Sequence, residues 1–136
     1  MFDFKALFDL SDRTALVVGS GSGIGRSSAM GLAQFGAHVI CADVDAEAAK
    51  ASASEITQTD GSAESIHLDM CDPQSILSGL DHIGRVHILV STPGINVRKP
   101  ILDITDEEFD RVINLNLKGT FRLVREVSRN MVANGG

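Results

Sequence analysis

A short apolar run, Thr14–Val18, ends in the turn Gly19-Ser-Gly-Ser-Gly-Ile-Gly25, and a stretch with helical spacing continues to Phe35. Glycines let a backbone approach whatever lies above it, because no Cβ intervenes. The first N–H groups of the helix lack intrahelical acceptors and carry the positive end of its dipole. Such a turn suits a pyrophosphate, contacted here by Gly19, Gly23, Ile24 and Gly25, with Ser20 and Ser22 as hydroxyl donors. The spacing is GxxxGxG rather than GxGxxG. Ser20 and Arg26 stand where a P-loop needs Gly and Lys, which excludes that motif. A merely flexible turn is the alternative, and the strand-like run before it and helical run after it weigh against that.

The same alternation fills the chain. Apolar runs at Thr14–Val18, Ala37–Ala42, Ser65–Leu68 and Val86–Val90 lack strict period-two patterning, as strands buried on both faces do. Between and after them lie helical stretches at 23–35, 45–57, 73–83 and 105–134. Asp72 before Pro73 reads as an N-cap, and Thr105 with Glu108 as a capping box. Gly36, Gly61 and Gly84 stand where left-handed C-terminal residues are wanted. The order β-α-β-α-β-α-β-α with right-handed crossovers predicts a parallel sheet between helical layers, an α/β three-layer sandwich.

The 136 residues suffice for one domain, 1–136, and 43% hydrophobic with 22% charged residues is ordinary globular composition. No apolar run is long enough to span a membrane, and the first residues do not read as a signal peptide, so a cytoplasmic protein is expected. Net charge is −6, unevenly spread: −7 over residues 1–96 and +1 over 97–136. That leaves no basic excess for nucleic acid. Cys41 and Cys71 form no CxxC, and no His is spaced to complete a metal site. They read as reduced structural thiols. The chain has no Tyr and no Trp, so it cannot itself supply a phenol as acid or base.

The second apolar run leads to Asp43, eighteen residues after Gly25. A carboxylate there would accept hydrogen bonds from both hydroxyls of an adenosine ribose and repel a 2′-phosphate. The alternative is a cap for the next helix, a place Asp45 fills better.

Taken in order, these motifs resemble the short-chain dehydrogenase/reductase family from Leu10 onward. Gly19, Gly23 and Gly25 match its glycine motif, and Asp43 its acidic residue. Asp69 in Leu68-Asp-Met70 matches its adenine-contacting Asp, and Asn116-Leu-Lys-Gly119 its Asn-Leu-x-Gly. Ser91-Thr-Pro-Gly94 stands for the usual Asn-Asn-Ala-Gly. The resemblance implies a Rossmann-type doubly wound sheet in the order 3-2-1-4, truncated after its fourth helix, with NAD as cofactor. It implies cofactor contacts at Gly19, Ser20, Ser22, Gly23, Ile24, Gly25, Asp43, Asp69, Met70, Ser91 and Gly94. Val18 replaces a common Thr that ties the glycine loop down. Ser91-Thr-Pro-Gly94 lacks both asparagines, and Pro93 lacks an N–H. Weaker cofactor binding than the family norm is expected. The family's catalytic Ser and Tyr-x-x-x-Lys would follow residue 136. The chain therefore reads as the cofactor-binding portion, inactive alone, with an open and aggregation-prone edge at Val86–Val90.

At a uniform 100° per residue, the last helical stretch places Val112, Ile113, Thr120, Leu123, Val124, Val127 and Met131 on the Phe109 side, with Asn116 among them. Asn116 is then either a satisfied core amide or, by the resemblance, a point where the helix is interrupted and the Asn supports a water in the proton relay. Lys118, Arg122, Arg125 and Arg129 fall opposite, a solvated face or a subunit contact of a homo-oligomer. None of the four histidines, His38, His67, His82 and His87, is placed for nucleophilic work. Three functions are consistent with this. The first is an NAD-dependent oxidoreductase acting on an alcohol or ketone; the stretch 94–100 resembles relatives acting on sugar acids, gluconate dehydrogenase among them. The others are a non-catalytic NAD-binding module and one half of a split enzyme.

Overall fold

The computed structural model describes residues 5–135. Four parallel strands, β1 (Thr14–Val18), β2 (His38–Asp43), β3 (Ser62–His67) and β4 (Ile88–Ser91), lie in the order β3-β2-β1-β4. The helices are α1 (Gly23–Gln34), α2 (Ala46–Gln58), α3 (Pro73–Ile83), α4 (Asp106–Ile113) and α5 (Thr120–Ala133). The reversal of winding direction after β3 puts helices on both faces, as the alternation predicts.

Successive strand residues point to opposite faces, and both faces are covered. Ala15, Val17, Val39 and Cys41 pack with Ala29, Ala53 and Ile56 of α1 and α2. Leu16, Val18, Ile40 and Ala42 pack with Ile76, Leu80, Leu123 and Val127 of α3 and α5. The first layer is alanine-rich, the second branched and bulky. Each fully buried Leu or Ile contributes about 1.5–3 kcal/mol relative to exposure. Among the described residues, no helix is long and apolar enough to cross a membrane.

The caps read from sequence form. Asp72 accepts from Gln74 N, Asp45 from Glu47 N and Ala48 N, and Thr105 with Glu108 closes a full capping box. Gly36 and Gly84 have φ of 97° and 75°. After α2, however, Asp60 takes the left-handed position at φ 61°. Gly61 is needed there for closeness instead, since a Cβ would lie 2.6 Å from Ile56 Cγ2. β3 begins three residues earlier than expected, because Ser62, Ala63 and Glu64 pair with β2 despite their polarity. β4 starts at Ile88 rather than Val86, though Val86 is buried.

The largest departure lies in the last helical stretch. Asn114–Gly119 forms a π turn between α4 and α5. Such a turn takes up one residue more than an α-helix, so a uniform step does not carry one face straight through it. Phe109, Ile113 and Val124 are exposed, not core, while Leu123 and Val127 are fully buried. Asn116 is exposed, not buried. Of the expected basic face, Arg122 is half-buried and donates to Cys71 O at 3.2 Å.

Candidate functional site

A cleft of about 530 Å³ opens at the C-terminal ends of the strands, where the winding reverses between β1 and β4. This is where open α/β sheets bind ligands.

The glycine loop forms its floor. Gly19 N and Ser20 N both donate to Ala42 O, at 2.8 and 3.1 Å, fixing the loop to β2. Gly25 lies over the Gly19 carbonyl so closely that a Cβ would stand 2.0 Å from that oxygen. Gly23, at φ 52°, faces open space. Ser22, the N-cap of α1, makes no side-chain cap. The N–H groups of Gly23, Ile24 and Gly25 therefore begin the helix with no intrahelical acceptor, beside the open space over Gly23. Ser20 behaves otherwise than expected. It is fully buried, its hydroxyl donates to Ala42 O at 3.2 Å, and its carbonyl accepts from Ser52 Oγ at 2.8 Å. It pins the loop to β2 and α2 and does not line the cleft.

Asp43 ends β2 at the cleft wall. Its carboxylate accepts from Gly21 N at 2.8 Å and Asp45 N at 3.0 Å. A Cβ on Gly21 would fall 2.9 Å from Asp43 Oδ2 and 2.6 Å from Ala48 Cβ, so this approach requires glycine. Beyond β3, the Asp69 carboxylate accepts from Cys71 N at 2.7 Å, and Asp69 N donates to Ser75 Oγ. Asp43 and Asp69 are the charged residues of the lining, with no Lys or Arg among the described residues there.

The opposite wall comes from the end of β4. Thr92, Pro93, Gly94 and Ile95 line it, with Leu115 from the π turn. Asn116 is clamped to Ile95 by a two-way pairing: Ile95 N donates to Oδ1 at 2.9 Å, and Nδ2 donates to Ile95 O at 2.9 Å. Asn116 thus acts on the cleft through Ile95 rather than by lining it. Ser91 also stays outside the lining, with its hydroxyl 3.9 Å from Met70 Sδ.

The structure therefore brings Gly19, Ser22, Gly23, Ile24, Gly25, Asp43, Asp69, Met70 and Gly94 to one cleft, and leaves Ser20, Ser91 and Asn116 behind it. The sequence reading missed Val18, Val44, Leu68, Cys71, Thr92, Pro93, Ile95 and Leu115 as lining residues. Val44 carried a signal, being an apolar residue between Asp43 and the helix cap at Asp45.

Neither thiol is activated. Burial pushes the Cys41 thiol up to about 11, with the neighbouring Ser20 hydroxyl acting in the opposite direction. Burial and the neighbouring Asp69 raise Cys71, partly offset by Arg122. Both are thiols at neutral pH and poor nucleophiles. The histidines lie outside the cleft. His87 Nδ1 accepts from Thr14 N at 2.9 Å, and His38 Nδ1 meets Ser62 Oγ at 2.7 Å.

A model of the short chain dehydrogenase family matches residues 13–136. The chain is 39% identical over 130 residues to a sorbitol dehydrogenase of Cereibacter sphaeroides, covering 93% of this chain and 50% of that protein. It is 34% identical to an L-xylulose reductase of Mesocricetus auratus, with coverage of 93% and 50%. Among solved structures it superposes on a short-chain type dehydrogenase/reductase from Mycobacterium marinum with TM-score 0.94 at 33% identity, covering 98% of this chain and 56% of that one. A putative gluconate dehydrogenase from Agrobacterium tumefaciens gives TM-score 0.87 at 36% identity, covering 94% and 52%. The chain spans about half the length of the curated relatives it matches.

Proposed function

The chain belongs to the short chain dehydrogenase family, and from that premise we propose that its cleft holds NAD for hydride transfer to or from a polyol or sugar. One observation carries the choice of NAD: the Asp43 carboxylate stands at the cleft wall, its orientation set by two backbone N–H groups. A ribose diol supplies the hydrogens it would accept, and a 2′-phosphate would meet a negative charge with no cation in the lining.

The cleft residues suit the rest of such a molecule. The N–H groups of Gly23, Ile24 and Gly25, with open space over Gly23, suit a pyrophosphate that needs no side-chain cation. Val44, Leu68 and Met70 offer an apolar wall for adenine, with Asp69 at its edge. Gly94, Ile95 and Leu115 flank the space left for the nicotinamide. When bound, the cofactor supplies a carbon that gives or accepts hydride. Asn116 holds Ile95 in place beside it. The chain contains no Tyr, so these residues supply no phenolic proton donor. The polyol or sugar class follows the sorbitol dehydrogenase and L-xylulose reductase relatives; a sugar acid is the competing class, after the gluconate dehydrogenase neighbour. Calorimetric titration tests the cofactor reading: NAD should bind, and ADP-ribose should compete with it. No heat and no competition at millimolar ligand would refute it.

A second observation favours self-association. Phe109, Ile113, Leu117 and Phe121 are exposed along one side of α4 and α5, with Arg125 stacked 5.3 Å from the Phe121 ring. The α4 end carries Asp106, Glu107 and Asp110; the α5 end carries Arg125 and Arg129, which share Glu126 between them and leave a net positive charge. A two-fold antiparallel pairing would set acidic end on basic end. Sedimentation should give a dimer that Phe121→Asp dissociates. A monomer of the unmodified chain at about 100 μM, well above a micromolar dissociation constant, would refute this reading.

A further inference from the structure

We propose that the Thr92 hydroxyl is the positioning group that sets the glycine loop for phosphate binding, in place of any side chain on the loop itself. This rests on reading the cleft as a nucleotide site.

The loop is fastened on its β2 side by Gly19 N, Ser20 N and the Ser20 hydroxyl, all directed at Ala42 O. On the β4 side the loop offers no side-chain donor, because Val18 and Gly19 have none. The fastening there comes from the facing strand. Thr92 N donates to Val18 O at 3.0 Å. The Thr92 hydroxyl reaches the same oxygen at 3.1 Å and Gly19 O at 3.3 Å, sharing one proton between two carbonyls.

The space around that hydroxyl is as specific as its bonds. A Cβ on Gly19 would stand 2.5 Å from Thr92 Oγ1, and one on Gly25 would stand 2.7 Å from it. The hydroxyl therefore fills the niche that two glycines leave between the end of β1 and the first turn of α1. The Gly19 carbonyl is held between the hydroxyl and Gly25. That carbonyl sits directly beneath the helix start whose N–H groups suit phosphate. Releasing it lets the peptide at Gly19 rotate, and the helix start loses its fixed height over the sheet. Adenosine is held farther along by Asp43 and the β3 end, and Asp43 is oriented by Asp45 N as well as by Gly21 N, so it feels this peptide less than phosphate does.

The test compares two probes on three proteins, well below each melting midpoint. ADP-ribose and adenosine are titrated into the unmodified chain, Thr92→Val and Thr92→Ser, by calorimetry or by amide NMR. Losing one net hydrogen bond corresponds to roughly three- to tenfold in affinity. Thr92→Val should weaken ADP-ribose by about that factor and adenosine by less than about twofold. Thr92→Ser, which keeps the hydroxyl, should bind both like the unmodified chain. Equal ADP-ribose affinity in Thr92→Val overturns the proposal. So does equal loss in Thr92→Val and Thr92→Ser, which would make shape the cause, and so does a matching loss for adenosine, which would make it global. If the unmodified chain binds neither probe, the nucleotide reading itself fails, a result distinct from all of these.

Discussion

Replacing Asp43 by Asn should collapse the preference for NAD over NADP. The carboxylate accepts from Gly21 N at 2.8 Å and Asp45 N at 3.0 Å, so its orientation is set before any ligand arrives. A hydrogen bond to a charged acceptor is worth about 1.5–3 kcal/mol, and NADP forfeits at least one that NAD makes. A 2′-phosphate carrying about −1.75 charge at about 5 Å from the carboxylate, with an effective dielectric of about 40–80, adds repulsion of about 1.5–3 kcal/mol. Together these favour NAD by about 10²–10³-fold even at the lower values. Asn keeps one acceptor oxygen for the loop and removes the charge. The ratio should then fall to within about tenfold, through relieved repulsion of NADP together with weaker NAD binding. Paired titrations with both cofactors at fixed ionic strength, about 0.1 M, measure it without the ambiguity of changing screening. The reasoning fails if the unmodified chain binds NADP as tightly as NAD, or if Asp43→Asn leaves the ratio unchanged.

Gly25→Ala should abolish nucleotide binding, because its Cβ would stand 2.0 Å from the Gly19 carbonyl oxygen and the loop must move. Gly23→Ala, which meets nothing within 4 Å, should fold with a cost of about 1–2 kcal/mol for its left-handed conformation, read from paired melts. Burial, with Arg85 and Arg13 nearby, lowers the pKa of His87, whose Nδ1 accepts from Thr14 N. A lowered base binds fewer protons folded than unfolded, so its stabilisation is present above the unfolded value of about 6.5 and is lost as pH falls through the folded one. The melting midpoint should therefore drop more between pH 7.5 and 5 in the unmodified chain than in His87→Asn, which keeps an acceptor and does not titrate; equal drops would refute it. With no Tyr, the 136-residue chain should give no NADH signal above background on polyols and ketones. A positioned proton donor is worth about 10²–10⁴-fold, and steady turnover by purified chain would overturn that assignment.

The sheet was legible because its signals are local and redundant. Buried parallel strands must be apolar on both faces, as Val39-Ile-Cys-Ala42 is, and helix caps announce themselves in Asp45, Asp72 and Thr105. β3 was half-read, since Ser62-Ala-Glu64 owes its strand conformation to pairing with β2, not to its own composition. The π turn was legible only through the resemblance, which implies an interruption of the helix at Asn116. Nothing in Asn114-Leu-Asn-Leu-Lys-Gly119 forces a wide turn by propensity. What accompanies it is a tertiary contact: the Asn116 amide pairs with Ile95, twenty-one residues back. Val124 beyond the turn is exposed, as are Phe109 and Ile113 before it, whereas Leu123 and Val127 beyond it lie in the core as expected.

The site divides along the same line. Gly19, Gly23, Gly25 and Asp43 could be read because each must be its residue type for a reason visible along the chain: no Cβ, or a charge at a strand end. Ser20 and Thr92 could not, because a hydroxyl in a loop says nothing about which way it points. Ser20 turns into the protein and Thr92 turns toward the loop. Val18 looked like a deficit, a hydroxyl missing from the loop. The seam between β1 and β4 has two sides, and Thr92 places a hydroxyl on it from the other. A missing polar group in one strand is therefore weak ground for expecting a loose loop until the facing strand has been inspected for a donor.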